Sequence, residues 1–394
     1  MISQKMVELG SKRSVIREIF EFGKKRAAEV GAENVFDFSL GNPSVPPPEC
    51  VKETLLDLLQ NGDPVLVHGY TSAQGDAKVR QQIAESLNSR FGTNFDAGNL
   101  YMTVGAAASL SVCFKALAVP GDEFIAFAPF FTEYRVFVEA AGGTLKVVPP
   151  NYEDFQIDFE KFEAMIGEHT KAVIINSPNN PSGAIYSEET IVRLCRILTE
   201  KSEALGHPIY LVTDEPYREI VYDGGKVPFL TKYYKNTLVC YSYSKSLSLP
   251  GERIGYVLVP GEIVDFEKTY AAICGAGRAL GYVCAPSLFQ QMVARCEGKT
   301  SDISVYKKNR DLLYNGLTEF GYTCVKPDGA FYLFVKAMEE DANAFCERAK
   351  KFDLLLVPGD DFGCPGYVRI AYCVKTEQIE RSMPAFQKLA ETYK

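Results

Sequence analysis

Between residues 100 and 259 one pattern recurs: a short, nearly unbroken apolar run followed by a stretch with helical spacing. The runs fall at 100–104, 124–128, 171–176, 209–213, 237–241 and 254–259. A strand that is apolar on both sides has to be covered on both sides. Alternation of this kind therefore predicts an α/β fold, with a mostly parallel sheet between two layers of helices. Helices are expected at about 49–60, 76–90 and 187–203, from Gly105 and after Phe131, with Asn61, Gly62 and Gly92 as stop signals. No internal repeat or low-complexity tract interrupts the alternation.

At 394 residues the chain exceeds what one compact core usually holds, which predicts two domains. The rhythm changes after about 286. A long helix is expected over 287–297 and onward, strands at 322–325, 330–335, 354–357 and 367–372, and a helix near 341–351. This predicts a smaller α+β domain, 287–394 together with 1–48, beside a large domain of 49–286. In the N-terminal piece, Val15, Ile16, Ile19, Phe20 and Phe22 form a partial helical stripe. A strand at 36–40, a break at Gly41, Asn42 and Pro43, and a proline-rich crossover at Pro46, Pro47 and Pro48 follow it.

Composition excludes several classes of function. Net charge is −8 with no Lys/Arg block, which argues against nucleic acid as a partner. No apolar run approaches the roughly 18 residues of a membrane span, and the first residues lack a signal-peptide pattern. The 11 cysteines include no Cys-x-x-Cys, and His68, His169 and His207 are far apart. No metal site is expected, and free thiols in a reducing cytoplasm are the simplest reading.

Residues able to do chemistry collect at one place in the pattern. Gly105, Phe131, Asn180, Asp214, Tyr217 and Lys245 each follow the carboxyl end of an expected strand, the edge at which open parallel sheets bind ligands. Lys245 emerges among Ser242, Ser244, Ser246 and Ser248, and Arg253 follows eight residues later between Gly251 and Gly255. A lysine at the end of a buried strand is poorly hydrated, so its neutral amine becomes accessible and could form an imine with an aldehyde. The serine hydroxyls and the planar fork of Arg253 would suit a phosphate on the same molecule. The same residues also read as a surface lysine in a serine-rich loop. Gly105, Ala106 and Ala107 open a helix whose free N–H groups would receive an anion, or are small for close packing.

Asp214 ends an apolar run and should be buried with a partner: a protonated ring nitrogen, a lysine or a set of backbone N–H groups. Asn180, ahead of Pro181, Ser182 and Gly183, reads as a turn, and Tyr217 and Phe131 read as core aromatics as readily as ligands. Arg369 interrupts the apolar strand 367–372 and either faces solvent or clamps a carboxylate.

Taken in order, four motifs carry a family resemblance: Asn180-Pro181-Ser182-Gly183, Asp214-Glu215-Pro216-Tyr217, Ser242-x-Ser244-Lys245 with Arg253 eight residues on, and a late Arg369. The set resembles the class I/II aminotransferases of the aspartate aminotransferase superfamily, which are fold-type I pyridoxal 5′-phosphate (PLP) enzymes. The resemblance runs from Gly41 to Arg369 and implies the PLP-dependent transferase fold, with a sheet of the seven-stranded type. It implies that Lys245 holds PLP as an imine and that Asp214 pairs with the pyridinium nitrogen, keeping the ring an electron sink. Asn180 and Tyr217 would hydrogen-bond the 3′ oxygen, and Phe131 would stack on the ring. Gly105, Ala106, Ala107, Ser242, Ser244 and Arg253 would form the phosphate cup. Tyr70 would reach the phosphate from a partner subunit, implying a homodimer. Arg369, with Asn180 and the backbone at Gly41, would clamp the α-carboxylate. The implied reaction moves an amino group from an L-amino acid (aspartate-like, alanine or aromatic) to a 2-oxo acid such as 2-oxoglutarate.

The sequence departs from the best-known members in three ways. Trp is absent, alanines stand where hydroxyls often bind phosphate, and no second carboxylate-reading arginine is evident. Arg278, in the glycine-rich stretch 274–281, is the candidate for that last role, although its flanking glycines suit a mobile loop equally. The same Lys/Asp/Arg set serves PLP-dependent carbon–sulfur β-lyases of the cystathionine β-lyase-like branch, which is the alternative reading. A ligand-sensing module without turnover is the second, and no appended DNA-binding segment supports it.

Overall fold

The structure, a computed structural model, describes residues 2–11 and 15–394. The first strand, β1 (Phe36–Asp37), stands apart from the large sheet that follows it. That sheet contains β2 (Leu100–Thr103), β3 (Glu123–Phe127), β4 (Thr144–Val148), β5 (Thr170–Asn176), β6 (Tyr210–Asp214), β7 (Thr237–Ser242) and β8 (Gly255–Leu258). Its order is β2-β8-β7-β6-β5-β3-β4. The pairs from β7 through to β4 are parallel, and β8 runs antiparallel to both β2 and β7.

Alternate residues of each strand feed opposite layers, as the pleat requires. Ile174, Val212, Leu238 and Val257 pack on one face with Leu110, Cys113 and Phe114 of helix Ala106–Leu117 and Ile273 of helix Phe266–Ala279. Val173 and Leu211 point the other way, onto Ile191, Leu194 and Leu198 of helix Glu188–Leu205. Val239 and Leu258 meet Ile83 and Leu87 of helix Ala77–Phe91. Each such aliphatic side chain, fully buried, stabilises the fold by about 1.5–3 kcal/mol. The two covered faces explain why these strands read as continuous apolar runs.

A second sheet, in the order β12-β13-β10-β9, is antiparallel and consists of β9 (Thr323–Cys324), β10 (Tyr332–Lys336), β12 (Val357–Pro358) and β13 (Tyr367–Ala371). The intervening β11 (Leu354–Leu355) pairs instead with β1, in parallel. The single strand expected at 354–357 is therefore two strands in two sheets. The long helix expected from 287 is also two, Ser287–Arg295 and Ile303–Phe320. Helix Pro64–His68, β4 and the helices Phe266–Ala279 and Thr376–Glu391 had no counterpart in the sequence reading.

Helix Phe266–Ala279 also corrects the reading of Arg278. The glycine-rich stretch around it is helical, and a Cβ at Gly277 would collide with the Tyr101 hydroxyl, so that glycine serves close packing rather than mobility. Among the described residues no helix is long and apolar enough to cross a membrane.

Candidate active site

The parallel register brings distant residues to one edge. Asn176, the last residue of β5, is paired with Asp214, the last of β6, and β7 ends beside them at Ser242. A cavity of about 280 Å³ opens at this edge, lined by Gly41, Ala106, Ala107, Phe131, Asn180, Asp214, Tyr217, Ser242, Ser244, Lys245, Arg253 and Arg369. Gly105 is the N-cap of helix Ala106–Leu117, at φ 96°, and a Cβ there would stand 3.0 Å from Arg253 Nη2. Arg253 itself has φ 51°, a left-handed conformation that costs roughly 1–2 kcal/mol and turns the chain under the helix start.

Two of the expected site residues lie elsewhere. Tyr70 is 98% exposed and lines no part of this cavity. Arg278 is exposed on its helix and is likewise not among the residues that line it.

Lys245 follows β7 in the short helix Tyr243–Ser246, and its Nζ donates to the Gly41 carbonyl at 2.7 Å. Burial lowers the amine to about 8; the positive charges of Arg253 and Arg369 act in the same sense, against the Cys373 thiol. Roughly a tenth of the amine is thus neutral at pH 7, far more than for an ordinary lysine. The surface-lysine reading is excluded.

Asp214 is buried. Its Oδ2 accepts from the Tyr134 hydroxyl at 2.7 Å, while its Oδ1 is buried without a hydrogen-bond partner. Burial raises the carboxyl to about 7, with the Tyr134 bond opposing the rise. Neither a lysine nor a backbone N–H meets this carboxylate, and an unpartnered oxygen facing a cavity calls for a donor from a ligand.

Arg369 is also buried, so it does not face solvent. Its Nη2 donates to the Ser39 carbonyl at 2.6 Å and its Nη1 to Asn180 Oδ1 at 3.1 Å, while Nε lacks a partner. Asn180 is held in turn through its backbone N–H, which donates to Asn176 Oδ1 at 2.7 Å. Ser242 and Ser244 share a hydroxyl–hydroxyl bond of 2.7 Å beside the helix start.

Sequence reading missed three contributors: Tyr134, Ser39 and Tyr332, whose hydroxyl lies 2.9 Å from that of Tyr217. Nothing in the local sequence marks them, because each acts through a residue far away in the chain.

The sequence model of the family described as aminotransferase class I and II matches residues 33–386. The chain belongs to that family. An aspartate aminotransferase of Thermotoga maritima is 29% identical over 97% of each chain. A probable aspartate/prephenate aminotransferase of Thermus aquaticus is 31% identical over 88% of this chain and 89% of the other. Among solved structures, an amino transferase from Eubacterium rectale superposes with a TM-score of 0.98 at 64% identity, covering 100% of this chain and 99% of that one. The aspartate aminotransferase of Thermus thermophilus with maleate gives 0.86 at 27% identity, with 99% of each chain covered.

The sheet and the helices of this aminotransferase are those of the PLP-dependent transferase fold. Its reaction is amino-group transfer, the family's substrates are amino acids and oxo acids, and members of the family use PLP. The relatives above are all named as amino-group transferases, which does not favour the carbon–sulfur lyase alternative.

Proposed function

We propose that the cavity at the end of β5, β6 and β7 binds PLP and transfers the amino group of an L-amino acid to a 2-oxo acid such as 2-oxoglutarate. The observation that carries this reading is the pairing, in one cavity, of a neutral-prone amine with a buried carboxylate oxygen that has no protein partner. A protonated ring nitrogen at Asp214 Oδ1 and an aldehyde at Lys245 Nζ satisfy both. The N–H groups of Ala106 and Ala107, the hydroxyls of Ser242 and Ser244 and the guanidinium of Arg253 supply the donors that a phosphate needs. Phe131 would flank the ring, and the Asn180 amide and the Tyr217 hydroxyl would hold its 3′ oxygen, since all three line the cavity.

When bound, PLP supplies the electron sink that makes the amino acid's Cα proton removable. The chain's own residues do the rest. Arg369, positioned by Ser39 and Asn180, would clamp the α-carboxylate and so orient the amino acid in the cavity. The Lys245 amine, held by the Gly41 carbonyl at 2.7 Å, would be the group that takes up the proton leaving Cα and gives it back. Asp214, held on one side by Tyr134, keeps the ring nitrogen positive throughout.

The site works as a homodimer in the cytoplasm under this proposal, with Tyr70 serving the partner's cavity. Exposed Leu56, Leu59, Val65 and Leu66 near Tyr70 in sequence give such a dimer apolar surface to bury. Under this proposal the cofactor-binding unit is 49–286, and 1–48 with 287–394 form the smaller unit.

A donor screen tests the proposal. Protein reconstituted with PLP is given aspartate, alanine, phenylalanine or cystathionine, with and without 2-oxoglutarate. The expected result is glutamate formed only when both donor and acceptor are present. Pyruvate and ammonia released from cystathionine without an acceptor would replace the transferase by the lyase.

A further inference from the structure

Tyr332 lines the cavity, and nothing above gives it a role. On the small sheet Tyr332 is in register with Ala371, and Phe334 with Arg369, so Tyr332 and Arg369 are diagonal neighbours on one face. The Arg369 guanidinium carbon stands 4.7 Å from the centroid of the Tyr332 ring. The Tyr332 hydroxyl meets that of Tyr217 at 2.9 Å, with the ring planes at 83°. Both tyrosines are buried. Gly41 closes the back of the arrangement, since a Cβ there would collide with the Tyr332 hydroxyl. The pair therefore spans from the carboxylate clamp to the hydroxyl assigned to the cofactor's 3′ oxygen.

Two hydroxyls carry two protons, and the bond between them uses one; either oxygen can be its donor. The other proton can then point outward at one end of the pair only. If Tyr332 donates to Tyr217, then Tyr217 donates to the cofactor. If Tyr217 donates to Tyr332, then Tyr332 donates toward Arg369, where a carboxylate is a strong charge-assisted acceptor.

We propose that Tyr332 and Tyr217 form a two-ended hydrogen-bond relay, in which a carboxylate arriving at Arg369 draws the outward donor away from the 3′ oxygen of the cofactor. The relay rests on the PLP reading above. It makes Tyr332 a positioning residue that couples substrate binding to cofactor protonation. The 3′ oxygen, deprived of a donor, holds the proton it shares with the Lys245 nitrogen more tightly, so the site is protonated over a pH range in which the ligand-free enzyme is not.

The test follows the pH midpoint of the bound cofactor's visible absorption, with and without saturating 3-phenylpropanoate, which carries a carboxylate but no amine. In the wild type the carboxylate raises the midpoint, partly by neutralising Arg369 and partly through the relay. In Tyr332→Phe the ligand-free midpoint stays close to that of the wild type, because Tyr217 can still donate. The carboxylate-induced rise shrinks by about one pH unit, a tenfold change in proton affinity. Tyr217→Phe loses the same part of the rise, although its ligand-free midpoint begins higher, and the double variant loses no more than either single one. If Tyr332→Phe does not fold, Tyr217→Phe carries the same comparison.

An undiminished rise in the single variants, or losses that simply add in the double variant, would overturn the relay. Failure of the wild type to take up a visible chromophore from PLP would instead overturn the cofactor reading beneath it.

Discussion

Asp214 and Glu215 are consecutive carboxylates at the end of β6, both buried, and the fold treats them in opposite ways. Because side chains alternate along a strand, Glu215 turns away from the cavity. There it accepts from the Thr213 hydroxyl at 2.8 Å and forms an ion pair with buried Arg218. The Arg218 guanidinium also donates to the Tyr256 hydroxyl at 3.2 Å and sits 4.6 Å from the Tyr241 ring centroid. On the cavity side, Asp214 keeps one oxygen unpartnered, and no carboxylate among the described residues lies against Arg369, whose guanidinium meets only the Ser39 carbonyl and Asn180 Oδ1. One buried pair of opposite charges is in direct contact, at 2.5 Å, and no ion pair joins the other two. An unpaired buried charge is expensive, so a fold that can pair Arg218 yet leaves Arg369 and Asp214 open has a ligand of complementary charges as its simplest explanation.

The sharpest way to break this comparison is to neutralise each carboxylate in turn. Asp214→Asn removes the partner of a positive ring nitrogen, and kcat should fall on the order of 10²–10³-fold. The apoprotein should melt no lower than the wild type, since the change relieves a buried carboxylate of its charge. Glu215→Gln should do the reverse. Stranding Arg218 costs about 3–5 kcal/mol in chemical denaturation, while activity per folded molecule stays within a few-fold of the parent. Two variants that lose activity and stability in the same proportion would erase the distinction.

The arginines give the next, smaller contrast. Arg369→Ala should lower kcat/KM for an amino-acid donor by about 10²-fold, mainly through KM, because a buried charge-assisted contact to the substrate is worth roughly 2–5 kcal/mol. Arg218→Ala should leave KM alone and appear as lost stability. A donor whose KM is unchanged by Arg369→Ala would show that its carboxylate binds elsewhere.

How far such distinctions can be read from sequence depends on where the signal lies. Asp214 and Lys245 stand out because each ends an apolar run, and a polar residue there has to face the ligand edge of a parallel sheet. Arg369 stands out as a charge within an apolar strand. Tyr134 and Tyr332 are equally close to the chemistry, but they look like any aromatic in an apolar context, and their hydroxyl partners are 80 and 115 residues away. The edge strand β4 was missed because edge position lets Lys146 pair with Glu123 at 2.6 Å, which spoils the apolar run. At 354–357 composition indicates strand throughout, but only the pairing partners, β1 on one side and β13 on the other, separate the two halves. Glycines around Arg278 suggested a loop because sequence does not show the Tyr101 ring that the helix packs against.

The smallest expected effect lies in how the apoprotein's stability varies with pH, and it separates the two open groups by sign. Burial raises the Asp214 carboxyl from 3.8 to about 7. Between those values the folded chain keeps a proton that the unfolded chain releases, so this contribution to stability is fully present below about pH 4 and is lost as pH rises through 7. Burial lowers the Lys245 amine from 10.5 to about 8, so in that window the unfolded chain binds the extra proton and stability grows as pH rises. Thermal melts of apoprotein should therefore show a decline between pH 4 and 7 that is flattened in Asp214→Asn, and a gain between pH 8 and 10.5 that is flattened in Lys245→Met. Reconstitution with PLP should shrink both trends in the wild type, because each group then has a partner in the folded state. Curves for Asp214→Asn that run parallel to the wild type across the acid window would mean that the carboxylate is not held unpaired, and the contrast with Glu215 would lose its basis.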